Sequence, residues 1–235
     1  MIVARSLVFA AVFYLWSVVL ALAMLPLLLG PRRWLLGTMK LWAAGTEILL
    51  KAVCRISLEI RGREHMPLGR ALIAAKHQCM YDTMAPFRAL PDACYVMRKE
   101  LIRIPFYGWY CARAGMIVVD RDAHAKALRK LVTDARSRVS QARQVVIFPE
   151  GHRTPPGAKG DYKPGIAALY RNLGLGCTPM ATNSGLHWPA HGFIRRPGTI
   201  VYEFLEPIPP GLHRAEFMRV LEERIETASA ALVRL

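Results

Sequence analysis

Residues 72–82 read LIAAKHQCMYD, a short apolar run that passes directly into charged and polar side chains. An uninterrupted apolar run over 72–75 is typical of a strand that is buried on both faces of a sheet. His77 should then emerge at the end of that strand, where the binding sites of α/β sheets form. The stretch therefore predicts a buried strand with a candidate functional residue at its carboxyl end.

Strand-like runs recur after residue 54, and helical patterns lie between several of them. Strict alternation over 55–61 predicts a strand with one buried face. Further strands are predicted at 94–97, 116–119, 145–148, 178–181 and 200–205, and helices at 124–142, 165–173 and 214–235. This alternation predicts an α/β fold class, with a mixed, largely parallel sheet flanked by helices.

The N-terminal part of the chain is strongly apolar. Residues 7–29 form a run of 23 residues without a charged side chain, between Arg5 and the pair Arg32-Arg33. As a helix they would extend about 34 Å, enough to cross a hydrocarbon core of about 30 Å. A cleaved signal peptide is the alternative, although the apolar run continues beyond the small residues at 21–23.

A second apolar stretch at 34–53 is also predicted to be a helix. Either it is amphipathic and shallowly inserted, with Trp34 and Trp42 near the interface, or it covers the α/β domain. The excess of positive charge after the first helix predicts that the bulk of the chain is cytoplasmic. We predict N-terminal transmembrane or interfacial helices over 1–54 and one α/β domain over 55–235.

The composition narrows the class of partner. The chain has 32 Lys and Arg against 17 Asp and Glu, a net charge of +15, which favours an anionic partner surface. Because 53% of the residues are apolar, disorder is excluded and a membrane surface is favoured over nucleic acid. The 5 cysteines include no CxxC pair, so neither a zinc ribbon nor a redox motif is indicated.

The first candidate site is the pair His77 and Asp82. In a continuous helix the two would point about 140° apart, so a turn has to intervene if they are to meet. Asp82 would then accept a hydrogen bond from one imidazole nitrogen and fix the tautomer, leaving the other nitrogen free to act as a base. The alternative is that Asp82 is only a helix cap and His77 a hydrogen-bonded structural residue.

Two further strand exits carry charged residues. The turn at 148–154 contains Gly151, which permits close backbone approach, and Arg153, whose planar guanidinium suits a phosphate. Arg121 follows the predicted strand at 116–119, and its alternative role is a solvated ion pair with a neighbouring aspartate. Convergence of three such exits at one end of a sheet favours a functional site over coincidence.

These segments resemble the glycerolipid acyltransferase family, most closely its bacterial 1-acylglycerol-3-phosphate acyltransferases. The family's HxxxxD motif is matched by His77 and Asp82, and its FPEG-x-R-[ST] motif by 148–154. A glycine, strand and Asp-Arg block is matched by 115–121, and a late proline by Pro179. Several motifs in the correct order are far more specific than any one of them.

The resemblance covers roughly 56–211 and includes three departures. Lys76 stands where Asn is usual, Cys79 where Ser is usual, and His152 where Thr or Ser is usual. None of them replaces a residue with a known catalytic role in the family. His152 lies beside the predicted anion site, so the departures bear on the identity of the acceptor.

The resemblance implies acyl transfer from a thioester to a hydroxyl, without an acyl-enzyme. His77 would be the general base, oriented by Asp82, and acyl-CoA or an acyl carrier protein would be the donor. The acceptor would be 1-acylglycerol-3-phosphate in the membrane, and the product phosphatidic acid. No cofactor and no metal is expected, since Pro189 disfavours a helical metal site at His187 and His191.

The resemblance also assigns residues to substrate binding. Arg153 and Arg121 would hold the acceptor phosphate, with Arg98 or Lys99 assisting. Glu150 would position the acceptor and Gly151 would allow close backbone approach, while the late proline would shape the pocket near the acyl chain. The full set is Glu150, Gly151, Arg153, Arg121, Arg98, Lys99 and Pro179.

Three other functions remain open from the sequence. The first is an acyltransferase for another lysolipid, such as a lyso-ornithine lipid, whose acceptor lacks the phosphate. The second is a non-catalytic, basic membrane-binding protein in which His77 and Asp82 are structural. The third is a hydrolase that releases the acyl group to water. Nucleic-acid binding is not indicated, because the basic residues are dispersed and no recognised motif is present.

Overall fold

A seven-stranded sheet forms the centre of the molecule. The computed structural model describes residues 1–234, apart from the side chains of Asp122 and His124. The strands are β1 Ile56–Arg61, β2 Ala71–Ala75, β3 Ala93–Arg98, β4 Ile117–Val119, β5 Gln144–Ile147, β6 Cys177–Thr182 and β7 Gly198–Phe204. Their order across the sheet is β1-β7-β6-β2-β5-β3-β4. All neighbouring strands are parallel except β6 and β7, so the predicted mixed, largely parallel sheet is confirmed.

Helices flank this sheet in two groups. Their bounds are α1 Ile2–Ala23, α2 Arg32–Leu49, α3 Ala85–Ala89, α4 Tyr107–Arg113, α5 His124–Ser140, α6 Gly165–Leu173, α7 Ser184–His187 and α8 Arg214–Val233. In one group α5, α6 and α8 pack on β4, β5, β2 and β6, and in the other α2 packs against α1, α3 and α4. The sequence predicted the longer helices but not α4 and α7, because helices of one or two turns are too short to show a period.

The register of the central strands places their exits together. β2 lies between β6 and β5, and all 5 of its residues are buried. Ala74 of β2 is paired with Ile147 of β5, so the residues that follow both strands emerge at the same edge. β3 and β4 run in the same direction as β5, so Arg98 and Arg121 leave the sheet at that edge too.

The N-terminal helices pack on this domain rather than standing apart from it. α1 ends at Ala23, before the turn that contains Pro26, and its length and composition would allow it to cross a membrane. Phe9 and Phe13 are buried and meet Trp188 edge to face, with ring centroids 5.4 and 5.9 Å away. The opposite side of α1 exposes apolar residues along its whole length: Ile2, Val3, Leu7, Val8, Tyr14, Leu15, Val18, Val19 and Leu22.

Buried residues of the two helices belong to the same hydrophobic core as the central strand. Phe9 of α1 and Leu35 of α2 lie in one cluster with Leu72 of β2. The two parts, 1–54 and 55–235, therefore share one hydrophobic core. Their division into separate domains stays a prediction.

A partly buried cluster of three charged residues joins the start of α2 to the edge of the sheet away from the strand exits. Arg32 donates to both carboxylate oxygens of Asp92, over 2.7 and 2.6 Å, and Arg143 Nε donates to Asp92 Oδ1 over 3.0 Å. Burial on its own would raise the pKa of Asp92, but hydrogen bonding to Arg32 and the charge of Arg143 outweigh it, so that the pKa is lowered. The side chain of Arg143 is 1% exposed, so its buried positive charge needs the counter-charge of this carboxylate.

We predict that Asp92→Ala lowers the free energy of unfolding by about 3–5 kcal/mol, because it leaves a buried guanidinium without a counter-charge. Denaturant unfolding of the detergent-solubilised protein measures this. Asp134→Ala, which breaks a surface pair with Lys130 on α5, is the control and should cost less than about 1 kcal/mol. Equal losses in the two variants would contradict the assignment.

Candidate active site

His77 and Asp82 meet at the exit of β2. The imidazole Nδ1 lies 3.0 Å from Asp82 Oδ2. Residues 81–83 form a single tight helical turn, which brings the carboxylate back over the strand end. Asp82 caps no helix, since α3 begins later, after Met84. The turn expected from the spacing is present, and the helix-cap alternative for Asp82 is not.

The carboxylate of Asp82 is completely buried and is held from all sides. Its Oδ2 accepts the backbone N–H groups of Gln78 and Cys79, over 2.6 and 2.7 Å. Its Oδ1 accepts the hydroxyls of Ser184, over 2.6 Å, and Tyr202, over 2.9 Å. A buried carboxylate is stable when its lone pairs are satisfied in this way, so its orientation toward the imidazole is fixed.

The electrostatics of the pair define the role of each ring nitrogen of His77. Burial alone would raise the pKa of Asp82, but the hydrogen bond and charge of His77 and the donors around the carboxylate outweigh it, leaving the pKa lowered. The ionised carboxylate requires a proton on Nδ1, which leaves Nε2 as the acceptor. The ring also stacks on Phe148, with centroids 4.2 Å apart, so its orientation is set from two sides.

The turn that follows β5 is fastened directly to the backbone of His77. Thr154 N donates to the carbonyl of His77 over 2.7 Å. Glu150 Oε2 accepts the N–H of His77 over 3.2 Å. Both main-chain polar groups of the histidine are therefore held by the second motif.

Three arginines reach the same pocket as His77. Arg98, Arg121 and Arg153 line it, and a guanidinium N–H of Arg121 donates to the carbonyl of Gly151. Burial lowers the pKa of Arg121, and the positive charge of Arg98 lowers it further. An anion bound beside the two arginines would offset both effects, because it favours the charged form of the guanidinium. Gly151 has φ of +73°, a conformation that favours glycine, and a Cβ there would lie 3.0 Å from the guanidinium of Arg121, which would have to shift.

The pocket has a volume of about 1240 Å³ and is walled largely by apolar side chains. The apolar part of the lining includes Tyr14 and Val18 of α1, Met39 and Trp42 of α2, and Leu128 and Leu131 of α5. A cavity larger than those that hold drug-sized molecules, with charge confined to a few residues, suits a lipid with an anionic head. The N-terminal helices therefore form part of the wall of the site.

Three residues assigned by the resemblance lie elsewhere than expected. Glu150 is fully buried beneath the pocket, bonded to Lys76 and to the backbone of His77, so it does not line the acceptor's space. Pro179 is buried within β6 and is paired in register with Ala74, and it does not line the pocket. Lys99 donates to Asp120 over 2.6 Å, while its neighbour Arg98 takes the place in the lining.

The structure also adds residues that the sequence did not indicate. Ser184 and Tyr202 hold the buried carboxylate across separations of 102 and 120 residues. Neither belongs to a local motif, so only the fold identifies them. His191 lines the pocket, and the described residues contain no group of three His, Cys, Asp or Glu side chains that could hold a metal.

The comparison with known families decides the class of protein. Residues 57–183, which contain both motif turns, match the Acyltransferase family. The chain belongs to this family. It is 33% identical over 190 residues to the 1-acyl-sn-glycerol-3-phosphate acyltransferase of Pseudomonas aeruginosa, covering 80% of this chain and 72% of the relative.

Other relatives of this acyltransferase carry the same description. The 1-acyl-sn-glycerol-3-phosphate acyltransferase of Helicobacter pylori is 29% identical over 164 residues, or 67% of this chain and 68% of the relative. The crystal structure of the 1-acyl-sn-glycerophosphate (LPA) acyltransferase PlsC from Thermotoga maritima superposes with a TM-score of 0.79. The match covers 99% of both chains at 20% identity, which shows that the fold is shared.

We predict that the melting temperature of the Asp82→Asn variant falls less steeply with decreasing pH than that of the wild type. The lowered pKa of Asp82 means that its ionised form stabilises the fold above the unfolded value of about 4, and that this contribution is lost as the pH falls through the lower, folded value. Melting temperatures of the two proteins between about pH 2.5 and pH 7 measure the difference. Parallel curves for wild type and variant would show that Asp82 is not the group responsible.

Proposed function

We propose that this acyltransferase moves a fatty acyl group from a thioester to the free hydroxyl of 1-acylglycerol-3-phosphate, producing phosphatidic acid. The observation that carries the proposal is the presence of an oriented histidine and three arginines in one large apolar pocket. The family membership fixes acyl transfer, and the arginines favour a phosphate-bearing acceptor.

The reaction follows from the orientation of His77. Its Nε2 removes the proton from the acceptor hydroxyl as the oxygen attacks the thioester carbonyl. A carbon–oxygen bond forms, the carbon–sulfur bond breaks, and the departing thiolate takes up the proton that His77 received. Asp82 stabilises the transient imidazolium without being protonated itself. The donor is acyl-CoA or an acylated carrier protein.

The acceptor's phosphate is bound by Arg121 and Arg153, with Arg98 adjacent. Gly151 holds Arg121 through its carbonyl, so the phosphate is placed at a defined distance from His77. The fatty chains occupy the apolar part of the pocket, between α1, α2 and α5.

The exposed side of α1 supports a membrane location for the enzyme. Its outer face is apolar from Ile2 to Leu22, while its inner face stays packed on the domain. A helix fixed in this way would lie with its outer face in the lipid of one leaflet and deliver the acceptor to the pocket from the side. The positively charged domain would rest on the cytoplasmic face of the inner membrane.

We expect His77→Ala to lower the transfer rate by about 10²–10⁴-fold, the usual contribution of a general base. The assay uses a labelled acyl thioester and lysophosphatidate with purified protein, and follows labelled phosphatidate. His65→Ala, in the turn after β1, is the control and should retain wild-type activity. Full activity of the His77 variant would rule out its role as base, and labelled free fatty acid formed from the thioester alone would identify a hydrolase.

We expect Arg153→Ala to weaken use of lysophosphatidate by about 10- to 100-fold in kcat/KM, since a charge-assisted contact to phosphate is lost. The same variant should lose much less on a lysolipid without a phosphate, such as a lyso-ornithine lipid. Parallel kinetics on both acceptors measure this selectivity. An equal loss on both would show that Arg153 does not recognise the phosphate.

A further inference from the structure

Directly beneath the active site lies a buried ammonium, that of Lys76, which the proposed reaction does not use. Lys76 is the residue between β2 and His77, and its side chain is 1% exposed. Its Nζ lies 2.7 Å from Glu150 Oε1, 2.8 and 2.9 Å from the two oxygens of Glu226, and 3.1 Å from the carbonyl of Ala158. An ammonium has three N–H donors, and three acceptor groups are in place for them.

This cluster joins parts of the chain that are distant in sequence. Glu226 lies in α8, 150 residues after Lys76 and beyond the segment that matches the family. Its carboxylate also accepts the hydroxyl of Tyr162 over 3.0 Å. The C-terminal helix is thereby fastened to the residue that precedes the base.

Glu150 transmits the position of Lys76 to His77. One oxygen of its carboxylate is held by the ammonium, which turns the other oxygen toward the N–H of His77. The same turn supplies Gly151, to which Arg121 is bonded. The location of Lys76 therefore sets the spacing between the base and an arginine of the phosphate site.

The charges in the cluster make this arrangement sensitive to loss of any member. Glu150 is fully buried and Glu226 is 22% exposed, and both face one cation. Without the ammonium two carboxylates would be left facing each other in a region of low dielectric constant, and each would move or take up a proton. Movement of the Glu150 carboxylate would release the N–H of His77, and protonation of Glu150 would weaken it as an acceptor of that N–H.

We propose that Lys76 and Glu226 are positioning residues of the active site, which act through Glu150 to hold His77 at its working distance from the phosphate-binding arginines. The proposal rests on the proposed function, because both residues act on the groups that perform it. It also makes the C-terminal helix α8 part of the catalytic apparatus.

A double-mutant cycle on the full-length enzyme tests the proposal. Wild type, Lys76→Met, Glu226→Gln and the double variant are compared for kcat, for KM of each substrate and for melting temperature. Glu223→Gln is the matched control, since Glu223 lies on the same helix in an exposed pair with Arg219. All assays are run well below the lowest melting temperature, so that only folded enzyme is measured.

The expected result is a fall in kcat of about 10- to 100-fold for Lys76→Met, with the KM of the thioester near the wild-type value, because the base is displaced but the pocket is retained. Glu226→Gln should lower kcat by less. The double variant should regain part of the kcat lost in Lys76→Met, since it removes one of the two opposed carboxylates. The control should match wild type.

Two results would overturn the proposal. In the first, the variants melt at a lower temperature but keep the wild-type kcat, which would show that the cluster stabilises the fold and does not position His77. The other is a double variant whose loss is the product of the two single losses, which would show no coupling. If Lys76→Met does not fold, Glu226→Gln decides alone, and an unchanged kcat counts against the proposal.

The activity of the wild-type enzyme distinguishes an error in the proposed acceptor from an error in the positioning role. If wild type acylates another lysolipid and not lysophosphatidate, the proposed function is wrong. The same cycle on the lysolipid that wild type accepts still tests the positioning role, since its readout is relative to wild type.

Discussion

The carboxylate of Asp82 has no exposure to solvent, and the free energy cost of burying a charge is offset only when strong donors surround it. Two backbone N–H groups, two hydroxyls and the imidazole of His77 meet that requirement here. Three of these donors belong to the turn after β2, and the other two are Ser184, which follows β6, and Tyr202 of β7. The carboxylate is therefore held in full only when the sheet and its turns are assembled. The proposed function of His77 as a base therefore depends on the completed core.

The sheet order explains how these groups come together. β2 lies in the interior of the sheet, with β6 on one side and β5 on the other. The turn after β5 is hydrogen-bonded to the backbone of His77. On the other side of β2, Ser184, which follows β6, donates to the carboxylate of Asp82. Burial of both faces of β2 leaves its carboxyl end as the place where polar groups can meet a ligand.

The N-terminal helices contribute to the site, and α1 is also long and apolar enough to cross a membrane. Trp42 of α2 and Val18 of α1 line the same pocket as His77. Tyr14 and Val18 belong both to the exposed apolar side of α1 and to the lining of the pocket, so these two apolar surfaces meet along this helix.

Much of the fold and of the site was predictable from local patterns. All seven strands were anticipated to within about two residues, because apolar runs and alternation are short-range signals. His77, Asp82 and Arg153 were identified from spacing and from the family resemblance. Roles that depend on the orientation of a side chain were not predicted correctly. Glu150 was expected to contact the acceptor but bonds to the backbone of His77, and Pro179 was expected in the pocket but lies within β6.

By itself, the sequence determined the type of sheet, the apolar N-terminal helices and the two motif turns, since all of these follow from the order of neighbouring residues. Only the tertiary structure decided which groups satisfy the buried charges of Asp82 and Lys76. Tyr202 and Glu226 lie 120 and 150 residues away from those charges and have no motif of their own. A buried charge requires partners within hydrogen-bonding distance, and that distance is set by how strands and helices pack, which local sequence does not record.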